Sequence, residues 1–132
     1  MQANAYQQYA NETVSMASPF RLVTLMYDHL MMDIGKADRA IEKGDVAEAH
    51  EMLVHAQKIV SLLRTTLRED LWEGATQLHA LYQVIHDRLV LANLYKDRER
   101  LKACVELVEP LHRAWHAAAE VASETMAAAK VA

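Results

Sequence analysis

The apolar residues of this chain recur at helical spacing, and the first such segment runs from about Pro19 to Lys43. Steps of four and three residues in turn place the apolar side chains along one helix face; they are Val23, Tyr27, Leu30, Ile34, Ala37 and Ile41. Ser18 is a favourable N-cap, and Pro19 suits the first helical position because its missing N–H needs no partner there. Gly44 predicts the end of the helix, since glycine readily adopts the left-handed conformation that follows many helices.

Three further segments repeat this spacing. Asp45 and Glu48 form a capping pair that predicts the start of the second helix, and Asp97 predicts the start of the fourth. The three apolar rows are Ala49, Leu53, Ala56, Val60, Leu63 and Leu67; Leu71, Ala75, Leu78, Tyr82, Ile85, Leu89 and Ala92; and Leu101, Cys104, Val108, Leu111, Trp115, Ala118 and Ala122. Pro110 lies inside the fourth segment and predicts a kink, because proline removes a helical hydrogen bond.

The connections between these segments are very short, which makes successive helices antiparallel neighbours. The sequence therefore predicts an all-α protein, an antiparallel up-down-up-down four-helix bundle with an N-terminal arm. The arm is expected over residues 1–17, the bundle over 18–126, and a frayed, alanine-rich tail over 127–132.

Composition supports this fold and narrows the function. Only three glycines and two prolines occur in 132 residues, which disfavours a sandwich or barrel. The net charge of −4 offers no basic footprint for nucleic acid. A single cysteine excludes an intrachain disulfide and a multi-cysteine metal site. No apolar run approaches the roughly 20 residues that span a bilayer, and no N-terminal signal is seen, so a cytosolic location is expected.

Seven histidines raise two hypotheses that involve chemistry. A ferritin-like di-metal site needs two Glu-x-x-His motifs, and only Glu109 to His112 matches, so no metal site and no cofactor is expected. A histidine phosphotransfer bundle needs an exposed histidine beside a lysine, which His79 and His86 lack, but this alternative stays open. Cys104 has no histidine close in sequence, and no nucleophile or phosphate-loop motif occurs, so we expect neither catalytic residues nor an enzyme.

Two of the predicted helices carry more apolar residues than a bundle core needs, which is about three positions in seven. The additional residues are Phe20, Leu22, Leu25, Met26, Met31 and Met32 on the first helix, and Leu81, Val84, Leu91, Leu94 and Tyr95 on the third. On adjoining flanks they would form an apolar groove for a partner helix, a role that flexible methionines suit. A wide core and a homodimer interface are alternatives that the sequence leaves open.

A series of short motifs resembles the flagellin-specific export chaperones, the FliS family. The motifs are Tyr6-x-x-Tyr9, Ala17-Ser18-Pro19, Leu22-Val23, Tyr27-Asp28, Leu78-x-x-Leu81-Tyr82, Arg88-Leu89, Ala92-Asn93 and Ala114-Trp115. Their order and spacing over about residues 4–118 are specific, although no single motif is decisive. The chain departs from the family where Leu71-Trp72 replaces a double glycine, and at His29, which replaces a glycine.

The resemblance implies a cytoplasmic chaperone that binds the disordered C-terminal segment of flagellin in apolar grooves. Such a chaperone prevents premature polymerisation and aids export by the flagellar type III system, with an export-gate component as a further partner. The alternatives are a homo-oligomerising helical bundle and the histidine phosphotransfer bundle, and the oligomeric state stays open.

The residues expected to bind the partner fall into three groups. The groove walls are Leu22, Met26, Leu81, Val84, Leu91 and Tyr95. Tyr6 and Tyr9 are expected in an arm that covers the groove or clamps the client. Asp28, Arg88 and Asn93 are expected to make polar contacts with the client, or else hydrogen bonds between helices and at caps. The residues expected in the core instead are Val23, Tyr27, Tyr82, Leu89 and Trp115.

Overall fold

The structure, a computed structural model, describes residues 19–68, 70 and 73–131 of the chain. All regular secondary structure in these ranges is helical, which confirms the all-α prediction. The helices are α1 Pro19–Lys43, α2 Val46–Thr66, α3 Ala75–Tyr95 and α4 Arg98–Val131. The predicted arm with Tyr6 and Tyr9, and the predicted cap Ser18, lie outside the described residues. None of the four helices is both long enough and apolar enough to cross a membrane.

The turn between α1 and α2 follows from two adjacent residues. Gly44 has a φ of 78°, a left-handed conformation that glycine adopts without steric cost. The side chain of Asp45 then accepts a hydrogen bond from the backbone N–H of Glu48 at 3.0 Å, which caps α2. Both features were predicted from the sequence and are confirmed.

The turn between α3 and α4 reaches a similar shape without glycine. Lys96 takes the left-handed conformation with a φ of 50°, and its ammonium donates to the side-chain oxygen of Asn93 at 2.8 Å. The carboxylate of Asp97 accepts a hydrogen bond from the backbone N–H of Glu99 at 2.9 Å, which confirms the predicted start of α4.

The helices form a closed ring in which α1 and α3 each pack against both α2 and α4. This arrangement is the antiparallel bundle that the short connections predict. It places α1 and α3 diagonally opposite each other. The expectation that the apolar flanks of the first and third helices adjoin was therefore wrong, because helical spacing defines a face of one helix but not which helix lies beside it.

The core contains the central residues of all four predicted apolar rows. The phenol oxygens of Tyr27 and Tyr82 meet across the diagonal at 2.8 Å, so the two buried hydroxyls bond each other. Leu89 is fully buried, while Val23 and Trp115 are half-buried and pack against the core. The other large buried side chains include Leu30, Ile34, Leu53, Ile59, Val60, Ile85, Leu101 and Val108.

Met26, expected as a groove wall, is instead a core residue with 1% of its surface exposed. It lies two turns before Asp33, whose side chain bonds His55 of α2, so α2 covers this flank of α1. The fourth helix runs to Val131 and so includes residues 127–131, which were expected to form a frayed tail. The alanines there have the highest helix propensity, which accounts for the continuation.

Candidate functional site

Five residues singled out from the sequence lie along one side of α3. At about 100° per residue, Leu81, Val84, Arg88, Leu91 and Tyr95 fall within an arc of about 80° beside the buried row. Val84, Leu91 and Tyr95 are 40%, 39% and 61% exposed, whereas Leu81 is half-buried against the core. We call these five residues the α3 face. It presents three large apolar side chains to solvent in a row along the helix.

The α3 face borders α4. The guanidinium of Arg100, in the first turn of α4, lies 5.0 Å from the centre of the Tyr95 ring, a cation–π contact. The thiol of Cys104 is fully buried on α4. Burial raises the pKa of that thiol to about 11, and the charge of Arg88 opposes the shift only in part. Cys104 therefore stays a neutral thiol near pH 7, unsuited to nucleophilic attack.

The remaining groove residues do not join the α3 face. Leu22 is half-buried on α1 and packs against the core, and α1 lies diagonally opposite α3. Asn93 is on α3 but on the side that meets α2, where its amide donates to Nδ1 of His50 at 3.1 Å. The structure thus brings together five of the six residues predicted on α3, leaves Asn93 on another side of that helix, and separates all six from those predicted on α1.

Asp28 is a residue of α1 that faces α4, and its carboxylate bonds two histidines of α4. Its Oδ1 accepts hydrogen bonds from Nε2 of His112 at 2.6 Å and from Nε2 of His116 at 2.8 Å. Partial burial raises the pKa of the Asp28 carboxyl, but the bonds from His112 and His116 outweigh it, and the pKa lies below its usual value. The carboxylate is therefore ionised near neutral pH and acts only as an acceptor.

The surroundings hold these two imidazoles in place. His112 stacks on the ring of Tyr27 with centroids 6.4 Å apart, and His116 meets His112 edge to face at 4.7 Å. An open pocket of about 630 Å³ adjoins the cluster. Its lining comprises Arg21, Thr24, His112, Arg113, His116, Ala117, Ala119, Glu120 and Ser123. The spacing of the two histidines was visible in the sequence, but their partner on α1 was not.

A second histidine–aspartate pair joins α1 to α2. The carboxyl of Asp33 is buried and bonds Nδ1 of His55. Burial raises the pKa of Asp33, and the bond to His55 opposes the rise without cancelling it. Another open pocket, of about 590 Å³, lies here between the two helices, with Met32 and Lys36 in its lining. Neither Asp33 nor His55 was predicted to have a role from the sequence.

The sequence of this chain is similar to those of known proteins, and this similarity indicates its family. The sequence model of the flagellar protein FliS family matches residues 2–122 of the chain. This chain belongs to the FliS family. The flagellar secretion chaperone FliS of Bacillus subtilis (strain 168) is 31% identical over 112 residues, which are 85% of this chain and 84% of that protein. FliS of Salmonella typhimurium (strain LT2) is 32% identical over 114 residues, or 84% of each.

The fold is also that of a solved flagellar chaperone. A crystal structure described as a flagellar chaperone from bacteria superposes with a TM-score of 0.72 over 91% of this chain and 98% of that one, at 17% identity. The resemblance that the sequence motifs indicated is confirmed. As a FliS family member, this protein is a flagellar export chaperone, which is a non-enzymatic role.

Proposed function

We propose that this protein is a cytoplasmic chaperone that binds the disordered C-terminal region of flagellin. Bound in this way, flagellin is kept from premature polymerisation and is delivered to the flagellar type III system, with an export-gate component as the further partner. Family membership supports an export chaperone, and the α3 face supports a surface for an apolar client segment.

The single observation that carries the proposal is the row of exposed apolar side chains on the α3 face. Val84 and Leu91 are seven residues apart, and Tyr95 follows one turn later, so the three project in one line. A client that forms an amphipathic helix on binding presents anchors at the same spacing. Burial of one leucine-sized side chain contributes about 1.5–3 kcal/mol, which offsets part of the entropy lost when a disordered segment becomes ordered.

The predicted polar residues divide between contacts with the client and contacts between helices of the bundle. Arg88 is exposed in the middle of the α3 face and suits a carboxylate or a backbone carbonyl of the client. Asp28 and Asn93 bond histidines of neighbouring helices, and we assign them to holding the bundle together. We assign Tyr6 and Tyr9 to an arm that covers the apolar surface or clamps the client, and Leu22 to a separate contact on α1.

The proposal is tested by calorimetric titration of the full chain with a peptide from the C-terminal disordered region of flagellin of the same organism. We expect saturable binding of one peptide per chain with a negative heat-capacity change, the mark of apolar burial. Absence of binding by a protein whose helical circular dichroism is intact would overturn the proposal. A mass that rises with protein concentration would instead support the homodimer alternative.

A matched pair of variants on α3 locates the contact. Leu91→Asp is expected to weaken peptide binding roughly 10- to 100-fold, because a charge replaces an apolar anchor. Val90→Asp is the control, since Val90 is 40% exposed on the same helix but lies about 100° away from Leu91. Equal weakening by both variants, or unfolding caused by Leu91→Asp, would remove the α3 face from the binding surface.

A further inference from the structure

We propose that Asp28, His112 and His116 form a binding site for a divalent transition-metal ion of the Zn²⁺ class, held between α1 and α4. Each residue offers one ligand atom, and the three atoms lie within 4.8 Å of one another. None of the three residues belongs to the α3 face, and Asp28 lies on α1, the helix diagonally opposite α3.

The residue types and their spacing fit such an ion. Two imidazoles and one carboxylate form a common set of protein ligands for Zn²⁺, which binds nitrogen and oxygen at about 2.0–2.2 Å. Histidines four residues apart lie on one face of a helix, so both Nε2 atoms reach the same point. In a tetrahedral site, ligand atoms stand about 3.4 Å apart. The separations of 2.6 and 2.8 Å from Asp28 therefore need to widen by less than 1 Å.

The current hydrogen bonds show what the ion would replace. Each Nε2–H now donates to Asp28, and a metal would displace both protons while keeping the same three groups converged on one point. The stack of Tyr27 on His112 limits rotation of that ring. Three ligands leave a fourth position open, as in the zinc sites of many enzymes, and the open pocket that adjoins the cluster gives water access to it.

The charges around the site set its strength. Arg21 and Arg113 line the same pocket, and their positive charges repel a dication. His116 and Asp28 are also partly exposed, so water screens the interactions. We therefore expect weaker binding than in a closed four-ligand structural site. The rival to this proposal is a plain hydrogen-bonded clamp between α1 and α4, which would bind no metal.

The test uses the full chain after treatment with a chelator, and the metal alone as the probe. Titration with ZnCl₂ is expected to show one ion per chain and to raise the midpoint of thermal unfolding, because the ion binds only the folded state tightly. Co²⁺ in place of Zn²⁺ is expected to give the visible absorption bands of a tetrahedral or five-coordinate site. Absence of stoichiometric binding, or a Co²⁺ spectrum of the aqueous ion, would establish the plain clamp.

Three variants tie the signal to the cluster. His116→Ala removes a half-exposed ligand and is expected to abolish stoichiometric binding and the shift in midpoint, and Asp28→Asn, which keeps the size of the side chain, is expected to do the same. His79→Ala on α3 is the control and is expected to bind Zn²⁺ like the unaltered chain. Retention of the binding by His116→Ala or Asp28→Asn, or its loss in His79→Ala, would overturn the proposal.

Discussion

At the scale of single residues, the buried tyrosine pair makes stability depend on pH. Burial raises the pKa of Tyr82 to about 12 and that of Tyr27 further above its usual value. Because the folded pKa values exceed the unfolded value of about 10, the pair contributes its full stability below pH 10; the part due to Tyr82 is lost as the pH rises from about 10 to 12, and the part due to Tyr27 continues to be lost at higher pH. We expect the free energy of unfolding, measured with urea, to fall steeply in that window.

The variant Tyr82→Phe separates this effect from the titration of lysines. It removes one hydroxyl and with it the bond that Tyr27 makes to Tyr82, so a loss of about 1–3 kcal/mol is expected at pH 7. Above pH 10 the decline should be shallower than in the unaltered chain, since one of the two linked groups is gone. An equally steep decline in the variant would assign the pH dependence to other groups.

The sequence could predict single residues only where the helical spacing alone decides their burial. Leu89 lies in an apolar row and is fully buried, as predicted. Met26 and Leu91 each lie beside a row, yet Met26 is buried and Leu91 is 39% exposed. The difference depends on whether a neighbouring helix covers that flank, which is a long-range property. For the same reason the spacing of the two histidines on α4, His112 and His116, could be seen in the sequence, but their hydrogen bonds to Asp28 could not.

At the scale of elements, the start of α2 depends on one side chain. The carboxylate of Asp45 accepts the N–H of Glu48 at 3.0 Å and also carries a negative charge at the positive end of the helix. Asp45→Ala is expected to lower the free energy of unfolding by about 1 kcal/mol. Asp45→Asn keeps the acceptor and should lose only a few tenths. Urea denaturation checks both, and equal losses would mean that charge, not the hydrogen bond, caps the helix.

The ends of the helices could be predicted from the sequence where residues adjacent in the chain determine the turn. Gly44 and Asp45 mark a turn whose conformation and cap follow from those two residues. The left-handed Lys96 carries no such signal, because lysine seldom takes that conformation and its bond to Asn93 depends on the fold of the turn. The ring order of the helices, which decides that the α3 face stands apart from α1, is set by packing among all four helices.

At the scale of the whole molecule, Cys104 reports on opening of the bundle. It is fully buried on α4, and its raised pKa keeps it a thiol, so a thiol reagent at neutral pH should label it only when the bundle opens. Leu89→Ala creates a core cavity on α3 and is expected to cost about 2–5 kcal/mol. Labelling should then be faster by roughly 30- to 4,000-fold, since each 1.4 kcal/mol is a factor of ten.

The control for this measurement is Leu91→Ala, a truncation of the same side chain on the same helix at an exposed position. It leaves no cavity and should change the labelling rate by less than about threefold. If Leu89→Ala also left the rate unchanged, Cys104 would become accessible through local opening of α4 while α3 stays packed. A large and selective acceleration means instead that α3 and α4 open together. In that case the α3 face is carried by a cooperative bundle, and a client bound there would slow the labelling of Cys104 without touching it.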